Sequence, residues 1–142
     1  LKHLLVFLLF SFSLNINAQN ADDILGVWWD EEKEGQIEIY KKNGKYYGKI
    51  VWLEEPYENG KPIVDSENPN AELRDQPILG LVILSDLEFD GEEWDDGNVY
   101  DPNTGDTYSC YLALESKNRL KLRGYLGFSL VGRSSYWTRV EQ

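Results

Sequence analysis

YDPNTGDTYSCYLALESKNRLKLRGYLGFSLVGRSSYWTRV, residues Tyr100 to Val140, is the stretch whose reading decides the fold. It opens on Asp101-Pro102-Asn103-Thr104-Gly105, where proline fixes φ and glycine accepts a positive φ, the chemistry of a tight turn. Tyr108, Cys110, Leu112 and Leu114 then alternate with Ser109, Tyr111 and Ala113, a period of two that only a strand satisfies. Ser116-Lys117-Asn118 breaks the pattern. Beyond it Leu120 and Leu122 share one face while Lys121 and Arg123 take the other. Ser134 to Val140 alternates once more and carries Trp137 and Arg139. Each hairpin passes its apolar face to the next, which predicts a curled antiparallel sheet.

The same grammar extends toward the N-terminus. Asp22 to Asp30 predicts a first strand, and Gln36 to Lys41 a second, with Ile37 and Ile39 set against Glu38 and Tyr40. Asn43-Gly44 is a strong hairpin signal because both positions accept positive φ. Tyr46 to Leu53 returns, with Gly48 marking a bulge or bend. Glu54 to Asn70 holds Pro56, Pro62 and Pro69 with Asn59-Gly60 between them, so it predicts one long irregular loop. Long loops in small domains are often lids or binding loops. Asn70 can cap a single helical turn through Arg74. Ile78 to Leu87 is apolar nearly throughout and is expected to be buried on both faces or to plug one end of a barrel. Phe89 to Asp96 reads as an acidic hairpin around Trp94. No segment of the domain carries helical periodicity over ten residues, so about eight short strands predict an all-β barrel or sandwich.

The chain has 142 residues, the size of one domain. Leu4 to Leu14 is an apolar run behind Lys2, followed by Asn15-Ile16-Asn17-Ala18. That is the layout of a secretory signal peptide over residues 1–18, cut after Ala18 to leave a single domain over 19–142. The run is too short for a spanning helix, so no stable membrane anchor is expected after cleavage and the product is exported, periplasmic or secreted. Cleavage would remove His3, the chain's one histidine, and with it any Ser-His-Asp or Cys-His pair. Cys110 has no partner for an internal disulfide and reads as a small core hydrophobe. Zinc has too few ligands for a dedicated site. The formal net charge of −11 disfavours nucleic acid and anionic lipid surfaces. No cofactor is implied.

Taken together, Gly26-x-Trp28, Ile39-Tyr40, the run Gly48 to Leu53, Asn68-Pro69, Leu73-Arg74, Gly80-Leu81 and Ile83-Leu84 form an ordered pattern. Tyr100-Asp101-Pro102, Gly105, Thr107-Tyr108, Arg123-Gly124-Tyr125, Gly132-Arg133 and Trp137-Thr138-Arg139 complete it. The pattern resembles the bacterial exported proteins grouped as domain of unknown function 2147, over nearly all of residues 19–142. That resemblance implies a small exported bacterial protein with no established activity. A second resemblance is to the lipocalin-like (calycin-like) barrels, which open with Gly-x-Trp and close with an arginine near the last strand, here Arg133 or Arg139. A guanidinium lying on an indole would close one end of such a barrel. The long loop departs from the simple hairpin order of those proteins.

The ligand-binding candidates are Arg123, Tyr125, Trp52, Tyr100, Tyr108 and Arg74. An inward Arg123 with tyrosines would hold the head of an acidic, otherwise apolar ligand. An outward Arg123 would instead pair with a surface carboxylate. Arg74, Arg133 and Arg139 can equally clamp loop ends or stack on tryptophan. Asp101 to Asp106 has the wrong order for an EF-hand loop, since Gly105 is fifth and Asp106 sixth, and reads as a turn. Asp90, Glu92, Glu93, Asp95 and Asp96 form either a weak hard-cation site or a solvated loop. Asp65, Asp86 and Asp101 are the carboxylates available for acid–base work.

Three functions remain open on the sequence. One is an exported barrel binding a small apolar or amphipathic molecule, with no catalytic residues and no metal. The second is a cell-envelope structural or interaction protein. The third is a histidine-free, carboxylate-based hydrolase. A cavity, an exposed apolar patch and a cleft with converging polar groups, respectively, would distinguish them.

Overall fold

Residues 19–126 and 132–141 are described by the structure, a computed structural model. The expected signal peptide over 1–18 lies outside them. The barrel strands are β1 (Gly26–Trp29), β2 (Gly35–Lys42), β3 (Lys45–Leu53), β6 (Val82–Phe89), β7 (Trp94–Asp101), β8 (Asp106–Ser116), β9 (Arg119–Tyr125) and β10 (Gly132–Arg139). A two-residue hairpin, β4 (Tyr57–Glu58) with β5 (Lys61–Pro62), sits inside the long excursion between β3 and β6. Every barrel pairing is antiparallel, and β1 joins both β2 and β10, so the sheet closes on itself. Closure leaves the barrel sheet itself without a free edge among the described residues.

Within the Tyr100–Val140 stretch, β8, β9 and β10 fold as their alternation requires. Cys110, Leu112, Leu120 and Trp137 are buried inside, while Tyr111, Lys121 and Arg123 stand on the outer wall. The 102–105 turn closes through Gly105 N–H on the Asp101 carbonyl at 2.8 Å, with Gly105 at φ 77°. Asn43 and Gly44, at φ 51° and 77°, make the β2–β3 hairpin. The N-terminal expectation is corrected. Residues Ala21–Ile24 form a 3-10 turn rather than part of a strand, and β1 starts only at Gly26. Asn20 and Asp23 cap that turn reciprocally.

Ile78 to Leu87 is also not one buried strand. Its first half turns across one end of the barrel, with Ile78 buried, and only Val82 onward pairs as β6. Leu79 and Val82 are exposed, so burial on both faces does not hold. Proline 77 and Gly80, with φ 94°, break the strand before it can start.

Two bulges shift the alternation. On β6 the inward residues are Leu84 and Leu87, and on β7 they are Trp94 and Gly97, a spacing of three in each case. Asp86 and Asp96 absorb the extra residue at φ 60° and 59°. A further register shift lies in β3, where Gln36 pairs with Trp52 but Ile37 pairs with Ile50.

Candidate functional site

The two ends of the barrel differ. At the end where β1 begins, the Ala21–Ile24 turn covers the interior and Ile24, Trp28, Tyr46 and Trp94 are fully or almost fully buried beneath it. Trp28 donates its indole N–H to the Ile24 carbonyl at 3.0 Å, and Trp94 donates to Ala21 at 3.0 Å. Arg139 lies over the Trp28 ring at 4.2 Å. Its guanidinium also donates to the carbonyls of Leu25, Asp23 and Lys117, at 2.8, 2.8 and 3.0 Å. Gly26 is required here, because a Cβ at its φ of 129° would sit 2.9 Å from Arg139 Nη1. Of the two arginines proposed to close the barrel, Arg139 is therefore the one that does so.

Packing fills this half. The inward glycines Gly48 and Gly97 leave room that Leu84 and Leu87 take up, so that a Cβ at either would collide with those leucines. The opposite half is hollow. A cavity of about 1110 Å³ opens where β3, β7 and β9 end, floored by Ile37, Ile50, Leu122 and Trp137 and walled by Ile63, Ile78 and Val99. Inward Gly124 faces this space, and the atoms nearest an added Cβ would be Val99 at 3.5 Å and Tyr108 at 3.9 Å. Its volume is at the upper end of ordinary small-molecule pockets.

The long excursion forms part of the wall and is held down by a buried carboxylate. Asp65 is fully buried and accepts from Tyr100 Oη at 2.7 Å, Asn68 Nδ2 at 2.8 Å and Gln76 Nε2 at 3.2 Å. Three donors satisfy the charge in place of water. Burial, and next the Asp65 hydrogen bond, push the Tyr100 hydroxyl up to about 12, so it stays a donor at any working pH. The backbone of Glu67 rests against Gly105, leaving no space for a side chain there.

Against this geometry the sequence candidates divide. Tyr100, Tyr108 and Tyr125 border the cavity. Tyr100 gives its hydroxyl to Asp65, and Tyr125 sits on the rim with its ring 6.5 Å from that of Tyr111. Arg123 is on the outer wall, one residue out of phase with inward Leu122, and donates to Ser134 Oγ at 3.2 Å. Trp52 also faces outward, because the β3 register shift reverses the parity that Ile50 sets; it meets Trp29 edge-to-face at 5.4 Å. Arg74 clamps the loop instead, donating from Nε to the Asn68 carbonyl at 2.7 Å.

The arginine that borders the cavity is Arg133, on the same side of β10 as Ser135 and Trp137. Around it the lining carries Asp30, Glu31, Glu32, Glu34, Glu54, Glu55, Glu67 and Asp101. The carboxylate runs at 30–34 and 54–55 are visible in the sequence as the ends of β1 and β3. What brings them together is that both strands run toward the same end of the barrel.

Of the carboxylates named for acid–base work, Asp101 borders the cavity, while Asp65 is taken up by its three donors. Burial, and next a hydrogen bond given to Asp90, push Asp95 up to about 6, but this pair belongs to the β6–β7 hairpin and does not border the cavity. Asp86 accepts from Tyr47 Oη at 3.0 Å on the outer wall. Among the described residues no group of three His, Cys, Asp or Glu is placed to hold a metal, and no helix is long and apolar enough to cross a membrane. Cys110 is buried, and burial pushes its thiol up to about 12, which leaves it unreactive.

Comparison with known proteins places the chain. Residues 26–139 match the profile of a bacterial family described as an uncharacterized protein conserved in bacteria, DUF2147. The chain belongs to that family. Among solved structures it is similar to protein HP1028 of the human pathogen Helicobacter pylori, described as belonging to the lipocalin family. The TM-score is 0.73 at 26% identity, covering 83% of each chain. No curated protein matches the sequence. The DUF2147 domain here is thus a closed, lipocalin-like barrel, as the second of the two sequence resemblances implied.

Proposed function

We propose that this DUF2147 protein is a binding barrel that carries one small apolar or amphipathic molecule in its open half, acting after export and removal of residues 1–18. The observation that carries the reading is what lines the open half: the inward residues Ile37, Ile50, Val99, Leu122 and Trp137 bound a cavity of about 1110 Å³ beside Gly124, whereas at the other end the inward side chains are buried beneath the 3-10 turn. A small domain gives up stabilising burial by leaving its interior hollow, which is reasonable where a ligand supplies the missing contacts. Likeness to a lipocalin-family protein supports the same reading. The hydrolase reading is disfavoured by the position of the raised carboxylate, Asp95, away from the cavity.

The test is a titration with the neutral fluorophore N-phenyl-1-naphthylamine, comparing the native chain with Ser135→Trp, which puts an indole into the cavity. Saturable one-to-one binding is expected in the native protein, and at least a tenfold loss in a variant whose thermal transition is retained. Absence of saturable binding, or equal binding by the folded variant, would refute the proposal.

A further inference from the structure

We infer that the cup prefers a positively charged head group: its ligand class is a small cationic amphiphile, an amine or quaternary ammonium on an apolar body. The inference rests on the binding reading above and adds the chemistry that decides what enters. An acidic ligand, the natural partner of an inward Arg123, loses its anchor once Arg123 is placed on the outer wall.

Three observations point the same way. First, among the described residues eight carboxylates and a single arginine, Arg133, border the cavity. Second, those carboxylates are uncompensated. The ion pairs among the described residues use Asp22, Glu38, Glu88 and Glu115, all of them elsewhere. Asp30 and Asp101 accept backbone N–H groups of their own turns, from Glu34 and Asn103, but none of the rim carboxylates is in an ion pair among the described residues. Third, Tyr108, on the inward face of β8 with Cys110 and Leu112, lines the cavity beside the same carboxylates. Aromatic faces and carboxylates together suit an alkylammonium, which gains from the ring quadrupole and from the field.

The cavity exists independently of its rim; what the rim contributes is selectivity. A cleft lined by one sign of charge with low-dielectric walls raises the local concentration of the opposite ion by about tenfold or more. An anionic head would meet the same field as a barrier. Arg133 is placed to soften that barrier, so its removal should sharpen the preference.

The experiment is displacement of N-phenyl-1-naphthylamine by three ligands that share a ten-carbon chain: decyltrimethylammonium, decanol and decyl sulfate, all below their micellar concentrations. At an ionic strength of about 0.01 M, where the Debye length is about 30 Å, the cation should displace the probe at roughly one-tenth the concentration of the sulfate. The gap should narrow at about 0.15 M salt. It should also narrow in the Glu31→Gln/Glu32→Gln/Glu54→Gln/Glu55→Gln variant and widen in Arg133→Ala. Equal or better displacement by decyl sulfate, or a preference unchanged in the four-glutamine variant, would overturn the inference while leaving the binding reading intact. If the probe itself does not bind, the binding reading falls and this inference with it.

Discussion

At one end of the barrel Trp28, Tyr46 and Trp94 lie buried under a 3-10 turn; at the other Tyr100, Tyr108 and Tyr125 border an opening. The strands are shared, so the difference lies in what the chain does with space and charge where they stop. The closed end receives its own N-terminal segment, whose carbonyls take the hydrogen bonds of Arg139, Trp28 and Trp94. Its charges are largely satisfied within the fold, as in the contact of Lys41 with Asp22 and of Tyr46 Oη with the same carboxylate at 2.6 Å. The open end receives a loop anchored on buried Asp65, and its glutamates are left unmatched. On the proposed reading, stability is concentrated at one end and ligand capture at the other, the usual division between a packed scaffold and the loops it positions.

Mutations should separate the two ends. The largest effect is expected from Trp28→Ala, which empties a fully buried site and leaves Arg139 without its ring: a loss of about 3–5 kcal/mol of stability, measured by urea unfolding. A loss under about 1 kcal/mol would mean that the closed end is not the stabilising one. Tyr100→Phe should cost about 1.5–3 kcal/mol, because it removes a hydrogen bond to a buried carboxylate, and hydrogen exchange should rise first in residues 63–78. Uniform exchange across the barrel would argue against Asp65 as the local anchor.

Arg123→Ala and Trp52→Ala should leave probe affinity within about twofold of the native chain, since both side chains stand on the outer wall. A tenfold drop in either would place the site outside the cup. The smallest effect concerns pH. Asp95 is raised to about 6 in the fold, so the stability linked to its protonation is fully present below about pH 3.8 and is lost as pH rises through 6. Asp95→Asn should accordingly raise the melting temperature at pH 7–8, by the equivalent of less than about 1 kcal/mol given solvent screening, and have little effect near pH 4. The opposite trend would mean that ionised Asp95 is stabilising.

The β8, β9 and β10 strands were legible in the sequence because Cys110, Leu112, Leu120, Leu122 and Trp137 keep a strict period of two. The Gly26-x-Trp28 and Arg139 closure could be read because its physical reason, an indole under a guanidinium, needs only two residues. Trp52 could not be placed, since a register shift in β3 reverses parity without changing composition. Nor could β6 and β7, whose inward residues fall three apart around Asp86 and Asp96. Arg123 alternates with inward Leu122, and that alternation alone points it outward. The acidic rim went unnoticed for a different reason. Residues 30–34 and 54–55 look like ordinary solvated turns until the topology shows that both open onto the same cavity.

The indole N–H resonances of the five tryptophans offer the most direct test of an open half beside a sealed one. On titration with N-phenyl-1-naphthylamine, Trp137 in the cavity floor should shift and saturate, while Trp28 and Trp94, hydrogen-bonded beneath the 3-10 turn, stay in place. Movement of Trp28 and Trp94 together with Trp137, or a response confined to the outer pair Trp29 and Trp52, would contradict it.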